Sequence, residues 1–253
     1  MLKFDPKERF SNRVENYARF RPAYPIEVVE VLESECGLRR DSIVADIASG
    51  TGIFTRLILE NGNRVFGVEP NPGMRQAGEA YLAKYPNFNS VAGAAEDTGL
   101  ADHSIDLVTA AQAAHWFDRE KALREFQRIL KPGCYLALLW NDRRLDATAF
   151  DRDYEQMLVD CGTDYADVKR LDNETGKFFG SFKCQLRVLP NFQDFDYVAF
   201  EGRLLSSSYA PQAGHPSHAP MLKELQRIFA AYQSGGKVRM EYDTKLYFGQ
   251  LVD

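Results

Sequence analysis

Five short apolar runs separated by helical stretches constrain this chain more than any other feature. Ser42–Ile47, Arg64–Val68, Asn89–Ala92, Ile105–Ala110 and Tyr135–Trp140 read as strands, and about 53–61, 72–84 and 118–130 read as the helices between them. Strands that alternate with helices demand parallel pairing, because each crossover returns the chain to the same end of the sheet. Further helices are expected at about 7–20 and 26–37, held apart by the prolines of Arg21-Pro22-Ala23-Tyr24-Pro25. Lys131-Pro132-Gly133 stops the helix that ends at Ile129-Leu130. Beyond Asn141 the pattern gives a helix over Ala147–Cys161, a strand over Gln185–Leu189, a helix over Pro220–Tyr232 and a last strand or hairpin over Lys237–Gly249. The expectation is an α/β Rossmann-like, doubly wound sheet of about seven strands. It is mostly parallel with an antiparallel last strand, and carries N-terminal helices and a helical cap. No linker breaks the chain, so 1–253 reads as one domain: a helical lid over 1–40, a cofactor-binding core over 41–142, and the end of the sheet with a substrate cap over 143–253.

Composition narrows the partners. The net charge of −5 and the interspersed acids and bases disfavour a polyanionic substrate such as nucleic acid. No apolar run has the length of a membrane span and the amphipathic start lacks a secretory pattern, so a cytoplasmic location is expected. Cys36, Cys134, Cys161 and Cys184 form no CxxC pair and read as reduced thiols, mostly in the core. His215-Pro216-Ser217-His218 reads as a turn, and no metal is expected.

Val44-Ala45-Asp46-Ile47-Ala48-Ser49-Gly50-Thr51-Gly52 carries the chemistry. A buried strand ends in an acid, a loop of small residues follows, and a helix opens with free N–H groups and a positive dipole end. Arg64-Val65-Phe66-Gly67-Val68 ends at Glu69, about 20 residues further on, where such folds hold ribose hydroxyls. The dinucleotide fingerprint fails at Thr55, and the Gly-Lys-Ser/Thr of a phosphate-binding loop is absent, so NAD and ATP fit poorly.

These motifs resemble the class I S-adenosylmethionine-dependent methyltransferases of the type 11 kind. Asp46 through Gly52 is similar to their acid-Gly-x-Gly-x-Gly motif, with Ala48 in place of the first glycine, a change expected to be tolerated. Val68-Glu69-Pro70-Asn71 with Met74 is similar to their second motif. Gly93-Ala94-Ala95-Glu96 resembles the adenine-side loop, although the acid that many relatives carry at Ala94 is missing. Leu123 through Leu136 resembles the helix and turn that enter the fifth strand. The resemblance implies S-adenosyl-L-methionine as cofactor and S-adenosyl-L-homocysteine as product. It places the methionine end over Asp46, Ala48, Ser49, Gly50 and Gly52, the ribose on Glu69 beside Pro70, and the adenine against Met74, Ala95 and Glu96.

Methyl transfer by direct in-line displacement needs alignment, exclusion of water and, for an alcohol or amine acceptor, a base. Gln112, His115 and Trp116 follow the fourth strand, at the end of the sheet where ligands bind. Gln112 is expected on the cofactor, and His115 and Trp116 on the acceptor. This His-Trp pair is similar to that of methyltransferases of small carboxylic acids, including the trans-aconitate type. Tyr17 and Arg21 resemble the leading segment of the same relatives, which closes over the cofactor, and Ser206-Ser207-Ser208-Tyr209-Ala210-Pro211 resembles a stretch of their cap that is expected to touch substrate. The expected partner is a small-molecule acceptor, with a carboxylate as one class, and the expected state is a monomer or homodimer. An NAD-dependent oxidoreductase and a non-enzymatic cofactor-binding regulator remain as alternatives.

Overall fold

The computed structural model describes residues 20–165 and 175–251. The helix expected over 7–20 lies almost wholly outside them, as does Tyr17. Helix α1 (Glu27–Cys36) leads into the alternating section: β1 (Ile43–Ile47), α2 (Ile53–Glu60), β2 (Arg64–Val68), α3 (Pro72–Leu82), β3 (Phe88–Val91), β4 (Ile105–Ala111), α4 (Arg119–Ile129) and β5 (Leu130–Arg143). The cap section follows with α5 (Ala149–Cys161), β6 (Gln185–Phe195), α6 (Tyr197–Leu205), α7 (His218–Tyr232) and β7 (Val238–Gln250).

The helix starts follow from local chemistry. Asn71 accepts from Met74 N–H ahead of Pro72, Asp118 accepts from Lys121 N–H, and Thr148 and Asp151 cap each other reciprocally. The strands join one seven-stranded sheet in the order β3-β2-β1-β4-β5-β7-β6. β1 to β5 are parallel, and β7 runs antiparallel between β5 and β6. The single antiparallel strand is as expected. β5 and β6 are longer than the sequence pattern suggested. Lys131-Pro132-Gly133 ends α4 and then shifts the β4–β5 register, and cross-strand pairing carries β6 on to Phe195.

Alternate residues of each strand feed opposite faces, as a pleated sheet requires. On β5, Leu136, Leu138 and Trp140 join the core under α4, whereas Ala137 and Leu139 join the core under α1 and α2. β7 extends this logic along one face. Leu246 and Phe248 pack in the α1/α2 core, while Val238, Met240 and Tyr242 pack in a third core with Tyr154, Phe200, Leu225 and Ile228 of the cap. The cysteines depart from expectation. Cys36, Cys134 and Cys161 are only partly buried at core margins and Cys184 is exposed, so none is a core residue. Burial pushes the Cys36 thiol up to about 12.

Helix α6 was not expected. Its signals are the Asp196 cap, which accepts from Ala199 N–H at 2.8 Å, and the buried Phe200 and Leu204. Gly202 obscures it in the sequence because glycine is a poor helix former. The fold needs that glycine, because a Cβ there would collide with the Phe20 ring.

Candidate active site

The strand order reverses between β1 and β4, the position where open α/β sheets leave a crevice at the carboxyl ends of their strands. A cavity of about 1040 Å³ opens there. Its core wall is the loop Ala48–Thr51, with Asp46 beneath, and Gln112, His115 and Trp116 beyond. Its cap wall is built by Glu155, Tyr165, Arg203 and Tyr209, with Arg143 at the end of β5 beside them.

Asp46 is 1% exposed. Its carboxylate accepts from Thr55 Oγ1 at 2.5 Å and from Thr109 Oγ1 at 3.0 Å. Desolvation raises its pKa to about 7, against the opposing pull of the two threonine hydroxyls, with Glu69 adding a little repulsion. Above it, Ala48 takes the left-handed conformation at φ 53°, next to Gly50 at φ 58°. The departure from the family's first glycine therefore falls where glycine is the easiest residue, and the chain carries local strain at this turn. The loop also holds an unsatisfied group: Thr51 Oγ1 is buried without a hydrogen-bond partner and Thr51 lines the cavity. A tight small-residue turn, an orphaned hydroxyl and a buried acid suit a polar ligand resting on this loop.

Glu69 stands apart from the cavity wall. Its Oε2 accepts from Gly50 N–H at 2.9 Å and its Oε1 from Asn71 N–H at 2.8 Å, so it ties the loop after β1 to the loop after β2. Burial raises its pKa, although these two N–H groups and Arg75 hold it down. Pro70 follows it, Gly52 caps α2, and Met74 is buried with its methyl group packed toward Gly50. Ala95 is buried in the core under α4. Glu96 accepts from Asp118 N–H at 2.8 Å at the start of α4. None of these six lines the large cavity.

The turn after β4 is a short 3-10 helix, Ala114–Trp116. Gln112 precedes it at φ 59° and donates from its amide to Asn141 O at 3.3 Å. The His115 ring lies 4.3 Å from the Trp116 ring and 5.1 Å edge-on from the Trp140 ring. Both tryptophans of the chain therefore flank this histidine. Arg21 reaches across the mouth and donates to Ser206 O at 3.1 Å. Ser206 and Ser207 are fully buried, while Ser208 and Tyr209 line the cavity, so two of the six residues expected at the substrate reach it. His215 and His218 bond locally, to Ser217 N–H and Pro211 O.

Sequence reading missed Trp140, Asn141, Arg143, Tyr165, Arg203 and Lys245 as lining residues. Trp140 and Asn141 stand at the carboxyl end of a parallel strand, which was a usable signal. The others come from elements whose placement depends on the sheet order.

A model of a methyltransferase domain matches residues 45–138. An uncharacterised methyltransferase-like protein of Schizosaccharomyces pombe is 37% identical over 135 residues, 53% of this chain and 52% of that protein. An uncharacterised methyltransferase of Mycobacterium tuberculosis is 39% identical over 134 residues, 53% of this chain and 52% of that protein. The chain thus spans about half the length of the curated relatives it matches. A solved structure described as a type II methyltransferase, from Anaeromyxobacter dehalogenans, superposes with a TM-score of 0.70 at 23% identity, covering 92% of this chain and 99% of that one. Residues 45–138 are thus similar to a methyltransferase domain, and the chain shares its fold with a solved methyltransferase.

Proposed function

We propose that the protein transfers a methyl group from S-adenosylmethionine to a small molecule. The observation that carries this reading is the coincidence of the cavity with the strained loop Ala48–Thr51 at the point where the strand order reverses. Ala48, Ser49, Gly50 and Thr51 would hold the cofactor, over Asp46. Glu69 keeps Gly50 in place through its backbone N–H and would offer its remaining lone pairs to hydroxyls. Met74, Ala95 and Glu96 would border the adenine. When bound, S-adenosylmethionine supplies an electrophilic methyl group on a sulfur that leaves as a neutral thioether.

The chain's own work is positioning and dryness. Trp116 and Trp140 wall the cavity beside His115, excluding water and fixing the imidazole plane. An imidazole nitrogen of His115 would accept the proton of a hydroxyl or amine acceptor, or donate to a carboxylate. Gln112 holds its side chain against Asn141, which ties the ends of β4 and β5 together across the cavity wall. Arg21 closes the mouth against Ser206.

Calorimetric titration with S-adenosylmethionine and S-adenosylhomocysteine tests the cofactor. Micromolar binding of both is expected. Absence of binding to either would sink the proposal and return the oxidoreductase and regulatory readings to the front.

A further inference from the structure

Arg203 of α6 is 6% exposed and lines the cavity. Its Nη1 donates to Ser207 Oγ at 2.9 Å, and its Nε has no hydrogen-bond partner. Among the described residues no carboxylate lies within ion-pair distance of it; the Tyr242 hydroxyl hydrogen-bonds with it, and the phenols of Tyr209 and Tyr154 lie nearby. Three other cations of the cavity wall differ. Arg143 pairs with Glu155, which also accepts from Tyr165 Oη. Arg144 pairs with Glu241 and Asp243, and Lys245 with Asp142.

A guanidinium cannot shed its proton under ordinary conditions, so burial without a counter-charge is a standing cost. The fold retains that cost at the cap wall of the proposed site. We infer that Arg203 anchors the acceptor by binding a carboxylate that the acceptor carries apart from the atom that receives the methyl group. The planar fork of a guanidinium takes a carboxylate through two parallel N–H···O bonds, and Nε is a donor still to be satisfied. The surrounding tyrosine rings strengthen that interaction by excluding water.

The anchored carboxylate is a handle. Hydrogen bonding to a guanidinium draws charge from the oxygen and makes it a poorer nucleophile. Arg203 also belongs to α6 in the cap, whereas Ala48–Thr51 and His115 belong to the sheet core. The acceptor is therefore a bifunctional molecule: an acid group on the cap side and a second nucleophile presented to His115. Its methylated product retains the acid. This inference rests on the proposed methyltransferase reading for the word acceptor, although the anion site itself does not.

The two tryptophans, Trp116 and Trp140, both line the cavity and report its occupancy by fluorescence. The wild-type protein is titrated with benzoate, succinate and citrate, with benzamide and succinamide as uncharged matches, and with inorganic phosphate. A saturable change with at least one acid is expected, about tenfold or more tighter than with its amide, the loss that follows from removing a charge-assisted pair. Arg203→Met should weaken acid binding by about tenfold or more, and Arg203→Lys should recover part of it. Binding of S-adenosylhomocysteine should be equal in wild type and Arg203→Met, which shows an intact cavity. Equal binding of acid and amide, silence with every acid, tighter binding of phosphate than of any acid, or an unaffected Arg203→Met would each overturn the assignment. Should Arg203→Met fail to fold, the acid and amide contrast on the wild-type protein still decides. Failure of S-adenosylhomocysteine alone, with acid binding intact, would remove the methyltransferase reading and leave the anion site standing.

Discussion

The core wall and the cap wall of the cavity each bury a charged side chain, and they meet the cost in opposite ways. Asp46 sits under the Ala48–Thr51 loop with two threonine hydroxyls on its oxygens, and burial moves it to about 7, so it can take up a proton. Arg203 in the cap has a serine, three tyrosines and, among the described residues, no carboxylate, and it cannot discharge itself. A buried acid therefore makes its cost depend on pH. A buried guanidinium makes its cost depend on a ligand. The first suits the proposed cofactor wall. The second suits the proposed acceptor wall.

The largest effect should come from neutralising the acid. The folded-state pKa of Asp46 is raised from 3.8 to about 7, so its stabilising contribution is full below about pH 4 and is lost as pH rises through 7. Between about pH 5 and pH 8 wild type should lose roughly 3 kcal/mol of stability through this group, and Asp46→Asn should lack that loss. Urea unfolding at the two pH values reads the difference directly. Identical slopes in both proteins would break the contrast drawn above.

Next in size is the reaction itself. His115→Ala should lower kcat by about a hundredfold on a hydroxyl or amine acceptor, the usual worth of a positioned base. Affinity for S-adenosylhomocysteine and for benzoate should stay at the wild-type level, because neither buried charge is touched. A parallel loss of either affinity would show that His115 holds ligands in place and moves no proton.

The smallest effect sharpens the account of the core wall. Ala48→Gly should raise stability by about 1 kcal/mol, because φ 53° is costly for alanine and open to glycine. A melting temperature below that of wild type would mean that the strain is absent, or that the alanine methyl packs usefully.

The core was legible in the sequence because its information is local. Strand, acid, small-residue loop and helix follow one another within Val44–Gly52, and β1, β2, α2 and α4 fall within a residue or two of expectation. The cap was less legible because its information is distant. Gly202 conceals α6 until Phe20 is seen to occupy the space beside it. Arg203 acquires meaning only when β7, from the far end of the chain, brings Tyr242 against it. Glu69 shows the same limit inside the core. Its position at the strand end was readable, but its bonds to Gly50 and Asn71 depend on how two loops meet.

β7 also has a consequence for motion. It pairs with β5 from Tyr135 to Arg143 and with β6 from Gln185 to Phe195, and its side chains fill both the core and the cap. A continuous strand of this kind leaves no hinge between the two walls of the cavity. Amide protons of β7 should exchange with solvent only when both halves open together. At the rim, the segment 20–24 is fastened to the same sheet, its carbonyls at Phe20 and Ala23 accepting from Gln193, Asn141 and Asn191.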